Sequence, residues 1–430
     1  MSARNGDPVG TPRALWRALE RNPPPGVDAV RRGWRSPLRG SWLTSVLGLV
    51  LLLTLPLVII TGLLDYAAYG PRFDQAFPLH VSWMRLPLFD WPTRPSWLFR
   101  LTQGLHVGLG IVLIPVVLAK LWSVIPKLFV WPPARSVAQV LERLSLLLLV
   151  GGILFEIATG VLNIQYAYLF GFDFYTAHYF GAWVFIGAFV AHVVLKLPRM
   201  VATLRRRPAA TPAPDDLVAE RPGPATMGRR GALALVGGGA LLLAVLTFGQ
   251  TIDGPLRRTA LLLPRGRNPG KGPNGFQVNR SAVAAGIQPA ETGPGWRLAL
   301  NGGGRTVQLD RAALLAMSQH TARLPIACVE GWSTMQTWTG VRLADLAALA
   351  GVPDPASAYV RSLERGGLFR QATLQSNQVA DRDSLLALRV NGADLSADHG
   401  FPARVIVPAL PGVHCTKWVA SIEFRAGTDG

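Results

Sequence analysis

Before residue 250 the chain carries five apolar stretches almost free of charge: Trp42–Leu64, Leu101–Ala119, Leu144–Val161, Tyr179–Leu195 and Gly231–Gln250. Each has roughly the 20 residues that a bilayer crossing needs. Inside lipid every backbone polar group must bond within its own segment, so these stretches are expected to be helices. The third holds one acid, Glu156. After residue 250 the pattern becomes that of an ordinary soluble domain. The expected architecture is a membrane all-α bundle of five transmembrane helices plus a mixed α+β soluble domain.

Basic charge follows the same division. The formal charge of +18 would suit nucleic acid if it were clustered on a soluble surface, but it is not. Residues 1–41 hold eight Arg, 120–143 hold four Lys or Arg, and 196–230 hold eight, whereas the alternate loops 65–100 and 162–178 hold four and none. Basic loops stay in the cytoplasm. This asymmetry predicts a multi-pass protein of the cytoplasmic membrane with its N-terminus inside and its C-terminal domain outside. Charge serves topology here, and no nucleic acid partner is expected.

The chain then divides as follows. Residues 1–41 form a basic cytoplasmic tail, 42–197 a four-helix membrane unit, and 198–228 an Arg/Pro/Ala-rich cytoplasmic linker containing Arg205-Arg206-Arg207. Residues 229–250 form a fifth helix that starts at Arg229-Arg230. A paired arginine before an apolar run suits a twin-arginine export signal and the positive-inside rule equally. No Ala-x-Ala site follows, so the helix is read as retained. Residues 251–275 are a Pro/Gly spacer, and 276–430 are the soluble domain. Within it, Arg297–Leu300 and Thr306–Leu309 flank Asn301-Gly302-Gly303-Gly304 as a hairpin. Val341–Ala350 reads as a short helix, and Arg404–Val407 and Trp418–Phe424 as strands.

Three histidines lie in or beside the apolar stretches: His106 in the second, and His178 and His192 bracketing the fourth. Imidazole in a bilayer is costly and marks function. Facing helices that each offer a histidine can hold a b-type haem. His178 and His192 are 14 residues apart, about 21 Å of helix rise on nearly one face. The membrane half resembles the four-helix cytochrome b subunits of formate dehydrogenases and hydrogenases. That resemblance implies an outer haem b on His106 and His178. It leaves an inner haem without a first-helix histidine, and His106–His192 is the alternative pairing. His80 in the outer loop reads as a solvated residue. Glu156 suits either a quinone site or proton path, or a frayed helix end near water.

The soluble half has two cysteines, Cys328 and Cys415. Outside the cytoplasm they could simply bridge. Their surroundings point elsewhere: Ile326-Ala327-Cys328-Val329-Glu330-Gly331-Trp332-Ser333, then Trp338-Thr339-Gly340-Val341. Downstream come Leu388–Leu395, His399-Gly400-Phe401-Pro402-Ala403-Arg404, Val407-Pro408, Gly412, Lys417-Trp418-Val419 and Ile422-Glu423-Phe424. In order and spacing these blocks resemble the molybdopterin-binding domain of the sulfite oxidase family.

The resemblance implies a molybdenum–molybdopterin cofactor with Cys328 as the protein thiolate on the metal, which suits a soft ligand. It places cofactor contacts on Asn274, Phe276 and Asn279 within 274–280, on Ser362, on His399 and Arg404, and on Cys415, Thr416 and Lys417. Asn279 stands where sulfite oxidases carry a substrate arginine, with Arg280 next door as a candidate catalytic residue. The implied function is a membrane-bound oxidoreductase. It would transfer an oxygen atom to or from a sulfoxide, an N-oxide or a sulfite-like molecule, and exchange electrons with quinone or quinol through the haem. A membrane haem suits quinol-driven reduction. The alternatives are a respiratory sulfite-type dehydrogenase and a cofactor-free binding module tethered to a cytochrome b.

Overall fold

The computed structural model describes residues 35–70, 89–128, 137–165, 169–205, 217, 222–252, 255–262, 272–367 and 370–427. Most of the basic tail, His80, Arg206 and Arg207, and residues 263–271 of the spacer lie outside the described residues.

All five apolar stretches are helical. α1 spans Ser41–Ala68, α2 Leu98–Val112, α3 Ile114–Leu128, α4 Val137–Ile164, α5 Phe174–Arg205 and α6 Arg229–Phe248. Four of these are long and apolar enough to cross a membrane, and α2 with α3 makes a fifth span if that bent pair is taken as one. The second stretch is not one straight helix: it breaks at Leu113, with a bend of 41°. The predicted linker also starts later than expected. α5 runs through Pro198 to Arg205, so its first residues are helical.

Contacts divide the chain into two compact units. One holds the residues up to Pro56, Val112–Ala158 and Phe180–Leu242. There, Thr44 donates its hydroxyl to Ser123 at 3.0 Å, the Arg39 guanidinium lies 4.4 Å over the Trp122 ring, and Lys196 pairs with Glu142.

The other unit holds Leu57–Ile111, Thr159–Tyr179 and Leu243–Gly430. It joins the remaining helix ends to a β-rich domain. Two five-stranded sheets form that domain. In the first the order is β2 (Arg305–Leu309), β1 (Leu298–Gly302), β10 (Val419–Arg425), β5 (Ser357–Ser362), β6 (Gln371–Gln375), and only the β1–β10 pair is parallel. In the second, β3 (His320–Ala327), β4 (Ser333–Arg342), β7 (Leu385–Val390) and β8 (Ala393–Asp394) run in order, and β9 (Arg404–Ile406) pairs with β7. Short helices α7 (Pro289–Thr292), α8 (Arg311–Ala316), α9 (Leu343–Leu349) and α10 (Ser376–Ala380) connect them.

Period-two alternation builds these sheets. Leu298 and Leu300 on β1, Ala358 and Val360 on β5, and Ile422 on β10 are fully buried, while their neighbours are partly exposed. β7 is buried on nearly every residue, as a central strand flanked on both sides must be. The predicted hairpin forms, with Gly302 opposite Arg305. The predicted helix at Val341 is shorter than expected. β4 continues to Arg342 because Val341 and Arg342 pair with Leu386 and Leu385, and these ladder bonds outweigh the local helical preference.

The loop before α2 is fastened to the domain. Trp91, 1% exposed, donates its indole N–H to the Ala409 carbonyl at 2.7 Å, and Asn377 donates to the Trp91 carbonyl. Arg94 pairs with Asp381 at 2.9 Å and Asp383 at 2.6 Å.

Candidate active site

Cys328 opens the loop between β3 and β4. The pairing of Ala327 with Ser333 leaves residues 328–332 as a closed turn. The Cys328 N–H donates to the Trp332 carbonyl at 2.9 Å, and the Gly331 N–H donates to the Cys328 carbonyl at 3.0 Å. Gly331 has φ +92°, a conformation that a Cβ disfavours. The turn therefore holds the thiol in one place. It is buried against Ala260 and Trp332. The Asn279 amide approaches the sulfur at 3.9 Å. Both cysteines are free thiols, so the bridge that sequence left open is not formed.

Three chain segments bring polar groups to the thiol. The turn Ala397–His399 leads through Gly400 into β9 and delivers His399 and Arg404. Gly400 has φ +108°, and a Cβ there would lie 3.1 Å from the Lys417 Cβ and 3.2 Å from the Arg404 Cβ. The loop before β10 delivers Cys415, Thr416 and Lys417. The segment 274–280 closes the site with Phe276, which stacks on the His399 ring at 3.6 Å and meets Trp338 edge-on at 5.9 Å.

The electrostatics favour an anionic ligand. Arg404 is 4% exposed and spends its guanidinium on the Cys415 and His399 carbonyls. Half-buried Lys417 donates to the Arg280 and Asp398 carbonyls. Among the described residues neither forms an ion pair with a carboxylate. Burial lowers Arg404 to about 10, and burial with the Arg404 charge lowers Lys417 to about 7. Burial, then Arg404 and Lys417, drop His399 to about 3, so its imidazole is neutral. Burial pushes the Cys328 thiol up, against the pull of the Val329 and Glu330 N–H groups, Asn279 and the Lys417 charge. Burial also raises Glu330 to about 7, although its carboxylate accepts the Trp332 indole N–H at 2.6 Å.

Buried atoms without partners mark where a polar ligand fits. Both amide atoms of Gln277, the Thr416 hydroxyl and the Trp338 indole N–H are buried with no hydrogen-bond partner among the described residues. Such groups cost free energy unless a ligand or water satisfies them. Gln277 lies inside the contact segment expected from sequence but was not singled out. A polar residue between Phe276 and Val278 was the available signal.

Other expected residues take different posts. Asn274, in a left-handed conformation (φ 54°), stitches backbone: it donates to the Asp394 carbonyl and accepts from the Ser396 N–H. The Ser362 hydroxyl donates to the Lys417 carbonyl at 2.8 Å and so orders the loop. Arg280 turns its exposed guanidinium to Glu364 at 2.6 Å. Cys415 is buried beside Arg404.

A second constellation lies on the helices. His106 on α2 and His178 on α5 face each other, ring centroids 6.1 Å apart and planes at 88°. His106 Nδ1 bonds the Val58 carbonyl and His178 Nδ1 bonds the Thr159 hydroxyl, each at 2.9 Å. A Cβ on Gly62 would fall 2.6 Å from the His106 ring, so glycine makes room for that imidazole. His192 lies 14 residues further along α5 from His178, in the other compact unit.

Comparison with known proteins bears on the first constellation. Residues 285–429 match the family model for the oxidoreductase molybdopterin binding domain. The chain is 34% identical over 110 residues to the uncharacterized oxidoreductase YuiH of Bacillus subtilis, a match covering 25% of this chain and 54% of that protein. It is 35% identical over 103 residues to the sulfite oxidase of Arabidopsis thaliana, covering 21% of this chain and 26% of the relative. The chain thus spans about half of the first relative's length and a quarter of the second's. Among solved structures it is similar to the sulfane dehydrogenase SoxCD of Paracoccus pantotrophus, with 25% identity, a TM-score of 0.29, and coverage of 31% of this chain and 39% of that one.

Proposed function

We propose that this chain, whose residues 285–429 are a molybdopterin-binding oxidoreductase domain of the sulfite oxidase family, works as a membrane-bound oxygen-atom transferase. A b-type haem, when bound between the His106 and His178 helices, would supply electron exchange with quinone. The observation that carries the first half is the buried thiol of Cys328 beside Arg404 and Lys417, which have no carboxylate ion-pair partner among the described residues. When bound, molybdenum–molybdopterin supplies two-electron oxygen-atom transfer, and haem supplies single-electron steps.

The chain's own residues have separable tasks. Cys328 provides the thiolate, the soft donor such a metal prefers. Arg404 and Lys417 would hold an anionic group of the cofactor through charge-assisted hydrogen bonds. Gln277, Thr416 and the Trp338 N–H offer the remaining polar contacts, and neutral His399 is locked by its stack on Phe276. Glu330 accepts the Trp332 indole N–H at 2.6 Å and so braces the turn that carries the thiol. On the helices, His106 and His178 supply an imidazole pair, each oriented through Nδ1 as metal-ligating histidines commonly are. The apolar spans and basic loops favour a cytoplasmic-membrane protein with this domain outside.

Quinol-driven reduction of a sulfoxide or N-oxide is the preferred direction. The sulfite-type dehydrogenase is the second reading, favoured by the likeness to a sulfite oxidase. Detergent-solubilised protein should carry near-stoichiometric molybdenum and haem. Cys328→Ala should lose one sulfur from the metal's X-ray absorption signature and lose turnover. A methyl sulfoxide should oxidise the reduced haem, whereas sulfite reducing the oxidised haem would select the second reading. Protein without molybdenum, or with an unchanged sulfur signature in the variant, would refute the assignment.

A further inference from the structure

We propose that Gln103 is a positioning residue that fastens the Cys328 turn to the helix carrying His106. The inference rests on the functional reading above, because it assigns a purpose to a contact between that reading's two centres.

The turn and the first residue of β4 are held by side chains and backbone from outside the β-rich domain. Buried Gln103 on α2 donates its side-chain amide to the Val329 carbonyl, one residue after Cys328. Thr251 donates its hydroxyl to the Gly331 carbonyl at 2.6 Å. Arg257 donates to the Ser333 carbonyl at 2.5 Å, and the Ser333 N–H donates to the Gln250 carbonyl at 3.0 Å. A Cβ on Gly331 would lie 3.0 Å from the Val107 Cβ, so the turn presses directly on α2. A domain that swung on a Pro/Gly tether would leave these carbonyls to water.

Gln103 is singled out by its place in the helix. His106 is three residues on, which puts both on one side of α2. The contact therefore makes a short connected route: Cys328, the Val329 peptide, the Gln103 amide, one turn of helix, His106. Along it, two electrons drawn one at a time from a quinol join two protons at a sulfoxide to give sulfide and water, and the quinol is left as quinone. No domain movement is needed between the two centres.

The test uses the full chain in lipid nanodiscs and Gln103→Met, which keeps the side chain's length and removes the donor. In cofactor-free protein, hydrogen exchange at the Ser333 amide should quicken about tenfold, the worth of one hydrogen bond. In loaded protein, reoxidation of the reduced haem by a methyl sulfoxide should slow at least about tenfold, matching the exchange change, while haem spectrum, haem potential and molybdenum content hold. Thr251→Val, which frees the Gly331 carbonyl, should move both readouts the same way, and it serves if the first variant does not fold. Unchanged exchange and unchanged reoxidation in a folded variant would overturn the inference. If sulfoxide does not reoxidise the haem of the unmodified protein, the functional reading fails instead, and the exchange result alone then decides whether Gln103 fastens the turn.

Discussion

Lys417 carries the clearest pH signature at the scale of single residues. Burial and the Arg404 charge bring it to about 7, whereas an unfolded lysine sits near 10.4. Between these values the unfolded chain binds more protons, so this group's contribution to stability rises with pH there and is least favourable below about 7. An anion in the site reverses the local balance, because it restores the lysine's charge. Binding then takes up a proton at higher pH. Sulfate, which does not titrate in this range, should bind the cofactor-free chain with affinity falling about tenfold per pH unit above 7. Lys417→Met should flatten that slope, as read by calorimetry, and a flat profile in the native chain would remove Lys417 from the anion site. Lys417, Arg404 and Cys328 stand out in sequence through motifs that resemble one family, and the structure brings them together. Gln277 stands out less, because a single amide in a short segment has no pattern. Its role shows only once both of its polar atoms are found buried and unsatisfied.

At the scale of elements, the site depends on how tightly its connections turn. Gly400 lets His399, Arg404 and Lys417 converge, since a side chain there meets the Cβ atoms of two of them at a backbone angle suited to glycine. Gly400→Ala should cost about 1–3 kcal/mol of domain stability through left-handed strain, seen as a lower Tm, and should also reduce retained molybdenum. An unchanged Tm would show that the turn relaxes freely. The β3–β4 turn follows the same logic: its hydrogen bonds close a five-residue loop around the thiol. Hairpin and strand positions could be read from alternation and turn residues. The end of β4 could not. Val341 and Arg342 have local surroundings that suit a helix, and the β7 ladder overrules them.

For the whole molecule, the charge asymmetry predicts a sidedness that labelling can check. Both native cysteines are buried, and Val283 is 87% exposed on the β-rich domain. Val283→Cys should react with an impermeant maleimide on intact bacterial spheroplasts. Ala210→Cys, in the Arg-rich linker, should react only after permeabilisation. The reverse pattern would place the domain in the cytoplasm and sever it from an outer haem. The fastening of Trp91 and Arg94 to the domain, together with the grip of Gln103 and Thr251 on the Cys328 turn, makes this half of the molecule one piece rather than a domain on a string.

The linear chain by itself determined which segments are long apolar helices, because a nearly charge-free run of about 20 residues has no other way to satisfy its backbone if it lies in lipid. Through the order of its motifs it also carried the resemblance that implies Cys328, Arg404 and Lys417 as neighbours in one domain. Tertiary structure decided which of the two α5 histidines faces His106, and it alone showed that Arg280 pairs with Glu364. It alone showed that a glutamine on α2 grips the residue beside the thiol. Such pairings join positions far apart in sequence, and their geometry depends on how the elements pack, which no local pattern records.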